Sequence, residues 1–200
     1  GLLMDRKSEY GFTLIELVIA IAIIAILIST TVFSVIKLRP DWTLNRAARN
    51  LYSHMQMARM GAVKDNANWA VRFNTPGPNQ YTIFSSWGPD GIWGTPDDVL
   101  VRRVNLADYG YGIQFGFGSA TIDATQAQGP LPDNPVTFQP SPWGPAVFNS
   151  RGMLASPSGF VYLQNNSNLL VGEQSARAIG AMTSGVIRLV KWFEASQTWN

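Results

Sequence analysis

A long apolar run constrains the fold of this chain more than any other feature. Residues 12–36 read FTLIELVIAIAIIAILISTTVFSVI and include one charged side chain, that of Glu16. About 20 helical residues, each rising 1.5 Å, cross the roughly 30 Å hydrocarbon layer of a bilayer. A cleaved secretory signal has a shorter apolar stretch that is followed by a small-residue cleavage site. The run therefore predicts a retained transmembrane helix over residues 12–36, preceded by a short polar segment over residues 1–11.

Glu16 is anomalous within this run. A carboxylate near the centre of a bilayer costs about 2.5–3.5 kcal/mol and less near its edge. Two interpretations stay open: the side chain lies shallow enough to reach the headgroups, or it has a cationic partner. Basic residues flank the run on both sides and therefore do not fix its orientation; they are Arg6, Lys7, Lys37 and Arg39.

The start of the run resembles the processing site of type IV prepilins and type II secretion pseudopilins, through Lys7, Gly11 and GFTLIEL (Gly11–Leu17). The resemblance implies that residues 1–11 are a leader and that a prepilin peptidase cuts between Gly11 and Phe12. It implies N-methylation of Phe12 and pairing of Glu16 with the terminal amine of a neighbouring subunit. It also implies a single-pass protein of the bacterial inner membrane that contacts lipid and an assembly platform before it enters a filament. The physics agrees, because a buried carboxylate becomes tolerable once a cation pairs with it.

The amino-acid composition of the chain excludes several classes of function. The chain has no cysteine and one histidine, so thiol catalysis, cysteine-based zinc sites and multi-histidine metal sites are excluded. His54 follows Ser53, but adjacent residues on a helix point apart, which predicts a packing or surface role for the histidine. Without a nucleophile–base pair the sequence predicts a protein that is not an enzyme.

A second helical pattern follows over residues 37–65. Small and apolar residues recur there at three- and four-residue steps, which predicts an amphipathic helix that forms the spine of a globular domain. Pro40 is expected to break or bend the junction with the membrane segment, and Asp41 or Thr43 is expected to cap the second helix. The apolar stripe consists of Leu44, Ala47, Ala48, Leu51, Met55, Ala58 and Ala62.

Residues 66–200 alternate short strand patterns with turn-rich segments. The connections are too short for crossover helices, which predicts a mainly antiparallel sheet and an α+β fold with a long N-terminal helix. The predicted strands are Trp69–Phe73, Tyr81–Phe84, Val99–Val104, Gly112–Phe117, Ala146–Phe148, Gly159–Leu163, Ala176–Ile179 and Val186–Val190.

Three stretches of this region narrow the resemblance. The segments Met57–Phe73 and Phe148–Asn165, and the pair Ala176–Ile179 and Ser184–Leu189, resemble the GspH/FimT-like minor pseudopilins and minor pilins. The resemblance implies a low-copy filament subunit, of a type II secretion system or of a type IV pilus, with other pilins or pseudopilins as partners. The middle segment, Tyr81–Pro145, does not show this resemblance to the GspH/FimT-like group.

An acidic loop lies within that middle segment. SSWGPDGIWGTPDDV (Ser85–Val99) contains Asp90, Asp97 and Asp98, which are hard oxygen ligands of the kind that Ca²⁺ prefers. The loop resembles the calcium loop of the major pseudopilin of type II secretion but departs from EF-hand spacing. A calcium site and an ordinary acidic turn both stay open.

Two sets of residues, one basic and one aromatic, are candidates for a binding function. Some members of the same group bind DNA during uptake, and Arg177, Arg188 and Lys191 are candidate phosphate contacts, although net charge is only +2. Seven tryptophans could stack on sugars or bases, but such residues more often fill a core or a subunit contact. They are Trp42, Trp69, Trp87, Trp93, Trp143, Trp192 and Trp199.

Overall fold

The structure, a computed structural model, describes residues 12–139, 143–166 and 175–200. The predicted leader, residues 1–11, lies outside the described residues, as do the side chains of residues 30–39. The chain divides into two units, Gly1–Arg39 and Pro40–Asn200. The sequence-based boundaries at residues 36 and 65 stay predictions.

The first element is helix α1, Leu14–Lys64. Thr13 precedes it, and the Thr13 hydroxyl accepts a hydrogen bond of 3.2 Å from the backbone N–H of Glu16, which satisfies one of the unpaired donors at the helix start. Glu16 lies in the first turn, where a carboxylate interacts favourably with the helix dipole. Within the described part of the chain, no helix is long and apolar enough to cross a membrane.

Of the two effects expected at Pro40, the break does not occur, because α1 continues through this residue, and the bend stays a prediction. An interior proline removes one backbone hydrogen bond and disfavours the helix by about 3 kcal/mol, but tertiary packing often outweighs such a local preference. Packing of the following stripe on the sheets provides that compensation. Asp41 and Thr43 are therefore interior helical residues and not caps.

The predicted apolar stripe of α1 is confirmed: all its members, Leu44 to Ala62, are fully buried in the main core. The helix ends in a Schellman-type closure. Asn66 adopts a left-handed conformation with a φ of 50°, and the Ala67 N–H donates to the carbonyl of Ala62 at 3.1 Å. The chain thereby reverses from the helix into the first strand.

Among the described residues, nine strands form two antiparallel sheets. The first has the order β3-β2-β1-β5 and the second the order β4-β6-β7-β8-β9. The strand bounds are β1 Trp69–Phe73, β2 Gln80–Ser86, β3 Val99–Asn105, β4 Ile113–Phe115, β5 Ala146–Phe148, β6 Gly159–Asn165, β7 Ala176–Ala181, β8 Ile187–Phe193 and β9 Thr198–Trp199. A 3₁₀ turn, Leu106–Tyr109, separates β3 from β4.

The α+β fold class is confirmed, and each of the eight predicted strands overlaps an observed one. Two features differ from the prediction. The strands divide between two sheets, and β9 was missed because a two-residue strand has no readable alternation of apolar and polar residues. One core packs side chains from α1 against both sheets, including Phe73 and Phe148 of the first sheet and Leu163 of the second.

Candidate functional site

The N-terminal half of α1 exposes an apolar surface. Phe12 is 83% exposed and Glu16 is exposed, while Gly11 lies outside the described residues. Exposed apolar surface on this scale is typical of a segment that lipid or protein covers. The large apolar side chains that are at least half exposed are Leu14, Ile15, Leu17, Val18, Ile19, Ile21, Ile23, Ile24, Ile26, Leu27 and Ile28.

The acidic loop between β2 and β3 brings its three predicted ligands together. Asp90, Asp97 and Asp98 each offer a carboxylate oxygen, and these oxygens lie within 4.8 Å of one another. Ca²⁺ binds oxygens at 2.3–2.6 Å, so oxygens with this separation can share one ion. The donor set and its spacing therefore fit calcium.

Hydrogen bonds within the loop hold these carboxylates in place. Asp98 accepts from three backbone N–H groups, those of Gly88, Gly94 and Thr95. The Thr95 hydroxyl donates to Asp97 at 2.6 Å and keeps the pKa of that carboxyl below its ordinary value. A side chain at Gly88 would overlap the Asp97 carboxylate, so the loop closes this tightly only with glycine there.

The predicted DNA contacts do not form one exposed patch. Arg177 on β7 is only 2% exposed, and its guanidinium donates to the Asp41 carboxylate on α1 at 2.8 Å. Lys191 on β8 lies 3.6 Å from the same carboxylate, and Arg188 is exposed. Arg177 is thus a structural ion-pair partner, and the phosphate-contact hypothesis retains only Arg188 and the partly exposed Lys191.

Asp41 is the residue for which sequence reasoning gave the wrong role. Burial alone would raise the pKa of this carboxyl, but the charge and hydrogen bond of Arg177, with a further contribution from Lys191, lower the pKa below its ordinary value of 3.8. The ionised form therefore predominates at neutral pH. No sequence pattern signals this pairing, because Asp41 and Arg177 are 136 positions apart.

His54 does not pair with its neighbour Ser53 in a catalytic arrangement. Its Nδ1 atom lies 2.7 Å from the hydroxyl of Tyr81 on β2, and the two rings pack with centroids 5.8 Å apart. Burial, with a smaller contribution from the positive charge of Arg102, lowers the pKa of His54. The histidine therefore joins helix to sheet, in agreement with the packing role that the sequence predicts.

The tryptophans divide between core and surface. Trp93, Trp192 and Trp199 are buried, whereas Trp42 and Trp87 are exposed. Trp87 stacks on Trp93 with ring centroids 5.6 Å apart, and both lie in the acidic loop. Together with Trp143 they line a cleft of about 610 Å³, which the sequence did not predict because its walls come from separate segments of the chain.

A single long helix, apolar in its first half and packed on antiparallel sheets in its second, defines the chain as a pilin-like subunit. The prokaryotic N-terminal methylation motif matches residues 6–32, and the type II transport protein GspH family matches residues 47–185. The chain therefore belongs to the GspH family. Its members are minor pseudopilins or minor pilins of type II secretion or type IV pilus systems, structural subunits and not enzymes.

Two solved structures are similar to the chain. The minor pseudopilin EpsH from the type 2 secretion system of Vibrio cholerae has 13% identity and a TM-score of 0.46, over 74% of this chain and 96% of that one. The type IV minor pilin FimU of Pseudomonas aeruginosa has 16% identity and a TM-score of 0.45, over 78% of this chain and 92% of that one. No curated protein sequence matches the chain significantly.

Proposed function

We propose that this chain is a minor pseudopilin of a type II secretion system, held in the bacterial inner membrane by the first half of α1 until it enters the pseudopilus. The supporting observation is the exposed apolar surface of Leu14–Ile28, interrupted by one carboxylate at Glu16. Lipid covers this surface before assembly, and the helices of other subunits cover it afterwards. The domain from Pro40 onward lies on the periplasmic side.

Processing prepares the N-terminus for assembly. The prepilin peptidase cuts between Gly11 and Phe12 and methylates the new amine of Phe12. That amine is a cation, and Glu16 of an adjacent subunit is the anion that pairs with it. A lone charge pair within an apolar helix bundle costs less than an unpaired carboxylate and fixes the axial register of the subunits. The inner-membrane assembly platform delivers subunits to this step.

The test uses separate variants for processing and for assembly. Gly11→Ala should leave an uncleaved precursor in the membrane, as mass spectrometry of its N-terminus would show. Glu16→Ala should be cleaved normally yet fail to enter the filament, measured by cross-linking to neighbouring pseudopilins. Ser29→Ala is a matched control because it changes a polar residue of the same helix without removing a charge. Normal incorporation of Glu16→Ala would contradict the pairing mechanism.

The effects of deleting the gene distinguish the two candidate host systems. Deletion of the gene should abolish export by the type II secretion system and leave type IV pili intact. Loss of DNA uptake with export unchanged would instead favour the alternative, a minor pilin that binds DNA. A DNA shift assay on Arg188→Glu would then locate the contact, since Arg188 is the exposed one of the three candidate cations.

We further propose that the loop of Asp90, Asp97 and Asp98 binds Ca²⁺. The proximity of the carboxylate oxygens supports this, as does the tight loop closure at Gly88. A bound calcium ion would neutralise the repulsion among three neighbouring carboxylates and stiffen the connection between β2 and β3. The chain's own contribution is the set of backbone hydrogen bonds that orient Asp98.

A further inference from the structure

The cleft beside the acidic loop combines aromatic and polar walls. It has a volume of about 610 Å³, within the range of small-ligand sites. One wall is the loop segment Trp87–Trp93, and the other includes Trp143 and the neighbouring chain before β5. Planar polar side chains at its edge include Asn68, Arg72 and Gln139.

The aromatic wall presents an open ring. Trp93 is only 6% exposed and packs between Phe84 and Trp87, with ring centroids 6.4 Å and 5.6 Å away. Trp87 is the outer member of this stack and is 49% exposed. Trp143, across the cleft, is anchored by an aromatic contact with Phe115 at 5.6 Å. A half-exposed indole that is fixed from behind is suited to pack against an apolar ligand face, because little side-chain freedom remains to be lost.

The polar wall includes groups that the protein itself leaves unsatisfied. Ser156 lines the cleft, and its hydroxyl oxygen is buried without a hydrogen-bond partner among the described residues. Arg72 also lines the cleft, and within the described residues no carboxylate lies within ion-pair distance of its guanidinium. Gly94 makes room for this side chain, since a Cβ there would lie 2.6 Å from Arg72 Cδ and Nη1. A partly exposed guanidinium that has no carboxylate partner and lines a cleft beside an open indole ring favours an anionic, hydrogen-bonding ligand.

From this arrangement we propose that the cleft binds an acidic saccharide, with a pyranose ring packed on the open face of Trp87 and a carboxylate directed to Arg72. The C–H groups of a pyranose face are apolar and complement an indole ring, while a hydroxyl at the ring edge can bond to Asn68, which also lines the cleft. A carboxylate and the guanidinium fork form a charge-assisted pair. A peptide or a nucleobase would also stack on Trp87, and tighter binding of either would contradict the proposal.

The test measures binding of two saccharides of equal length to the full-length chain in detergent micelles. The probes are trigalacturonate, which is acidic, and maltotriose, which is neutral, titrated by isothermal calorimetry and by tryptophan fluorescence. We expect trigalacturonate to bind at least about tenfold more tightly, the effect of one charge-assisted contact. Trp87→Ala should weaken binding of trigalacturonate about tenfold, and Arg72→Gln should remove the preference for it over maltotriose.

Matched variants separate the cleft from the rest of the surface. Trp42→Ala removes another exposed tryptophan, on α1, and Arg103→Gln removes an exposed arginine on β3; neither residue lines the cleft. Both should bind trigalacturonate as the parent chain does, and far-UV circular dichroism should be unchanged in all four variants. The proposal is overturned if trigalacturonate does not bind at millimolar concentration, or if Trp87→Ala and Arg72→Gln leave its binding unaltered. Tighter binding of a tryptophan-directed peptide or of an oligonucleotide in the same cleft would also overturn it.

Discussion

Arg177 illustrates how one buried side chain organises its surroundings. It lies on β7 with 2% exposure, and Asp41 of α1 provides the opposing carboxylate at 2.8 Å. A second bond links its guanidinium to the carbonyl of Ala176 at 3.0 Å. The pair joins the second sheet to the beginning of the helix segment that the sheets cover. A buried charge with its partner removed costs far more than an exposed pair contributes.

Asp41→Asn should therefore destabilise the protein by about 3 kcal/mol, since Arg177 remains buried without a compensating charge. Denaturant unfolding of the full-length chain in detergent measures the change in free energy of unfolding. Asp133→Asn is the control, because Asp133 is exposed in a loop, and it should change stability by less than about 0.5 kcal/mol. Equal stabilities of the two variants would show that the ion pair contributes nothing.

The same ion pair predicts a pH dependence. The folded-state pKa of Asp41 lies below its ordinary value of 3.8, so its contribution to stability is present above that value and is lost as pH falls through the folded-state pKa. The difference in unfolding free energy between the parent chain and Asp41→Asn should stay constant from about pH 7 to 5 and shrink below about pH 4. A difference that shrinks on going from pH 5 to 7 would contradict this assignment.

At the scale of elements, close contact between α1 and β1 depends on a glycine within the helix. Gly61 faces the ring of Trp69, the first residue of β1, and a Cβ at Gly61 would lie 2.6 Å from that ring. The indole N–H of Trp69 donates to Asp65 at 3.1 Å, which further limits its movement. Glycine costs a helix about 1 kcal/mol relative to alanine, so its presence here reflects packing and not helix formation.

Gly61→Ala should accordingly destabilise the protein by about 1–3 kcal/mol, although the same change stabilises an isolated helix. Thermal unfolding of the full-length chain provides the measurement. Met60→Ala, at a neighbouring helical position that is 70% exposed, is the control and should be close to neutral. A second variant, Gly61→Ala with Trp69→Leu, should recover part of the loss because the clash is relieved. An increase in the melting temperature of Gly61→Ala alone would refute the packing argument.

The acidic loop gives the second prediction at this scale. Addition of Ca²⁺ at about 1 mM should raise the melting temperature, and a chelator should reverse the effect, because an ion that binds only the folded loop stabilises the folded state. Asp90→Asn should abolish the response, while Asp108→Asn, a change of an exposed acid on the 3₁₀ turn, should retain it. An equal response to Mg²⁺, or none to Ca²⁺, would contradict a calcium site.

At the scale of the whole molecule, the two units have different requirements. The unit Gly1–Arg39 contains the exposed apolar surface of α1, whereas the unit Pro40–Asn200 contains the buried stripe, both sheets and the main core. A domain with its own core can fold by itself. The apolar half of α1, in contrast, buries no large side chain from Leu14 to Ile28 within the described structure, and exposed apolar surface of this extent is typical of an interaction site.

A truncated chain that begins at Pro40 should therefore be monomeric without detergent and unfold in one cooperative transition. Circular dichroism during denaturant titration measures cooperativity, and light scattering measures the oligomeric state. The full-length chain should need detergent under the same conditions. A broad, non-cooperative transition of the truncated chain would mean that residues before Pro40 are part of the folding unit.

Local patterns in the sequence were sufficient to predict the class of fold. Periodicity located the apolar stripe of α1, since burial on one face of a helix imposes a repeat that is readable locally, and short strand patterns between turn-rich segments located eight strands. Short connections were enough to predict antiparallel pairing. The processing and assembly roles of Gly11, Phe12 and Glu16 also rest on local residue patterns, and they stay predictions here.

Contacts between residues that are distant in the sequence could not be predicted and were seen only in the folded structure. The continuity of α1 through Pro40 depends on packing against sheets formed more than 25 residues later, as β1 begins only at Trp69. Asp41 of α1 pairs with Arg177 of β7, and Arg72, Trp87 and Ser156 line one cleft, because the fold brings separate helix, strand and loop segments together. Local patterns encode backbone preference and amphipathicity, but ion pairs and clefts depend on which segments the completed fold brings into contact, and for that reason they emerge only in three dimensions.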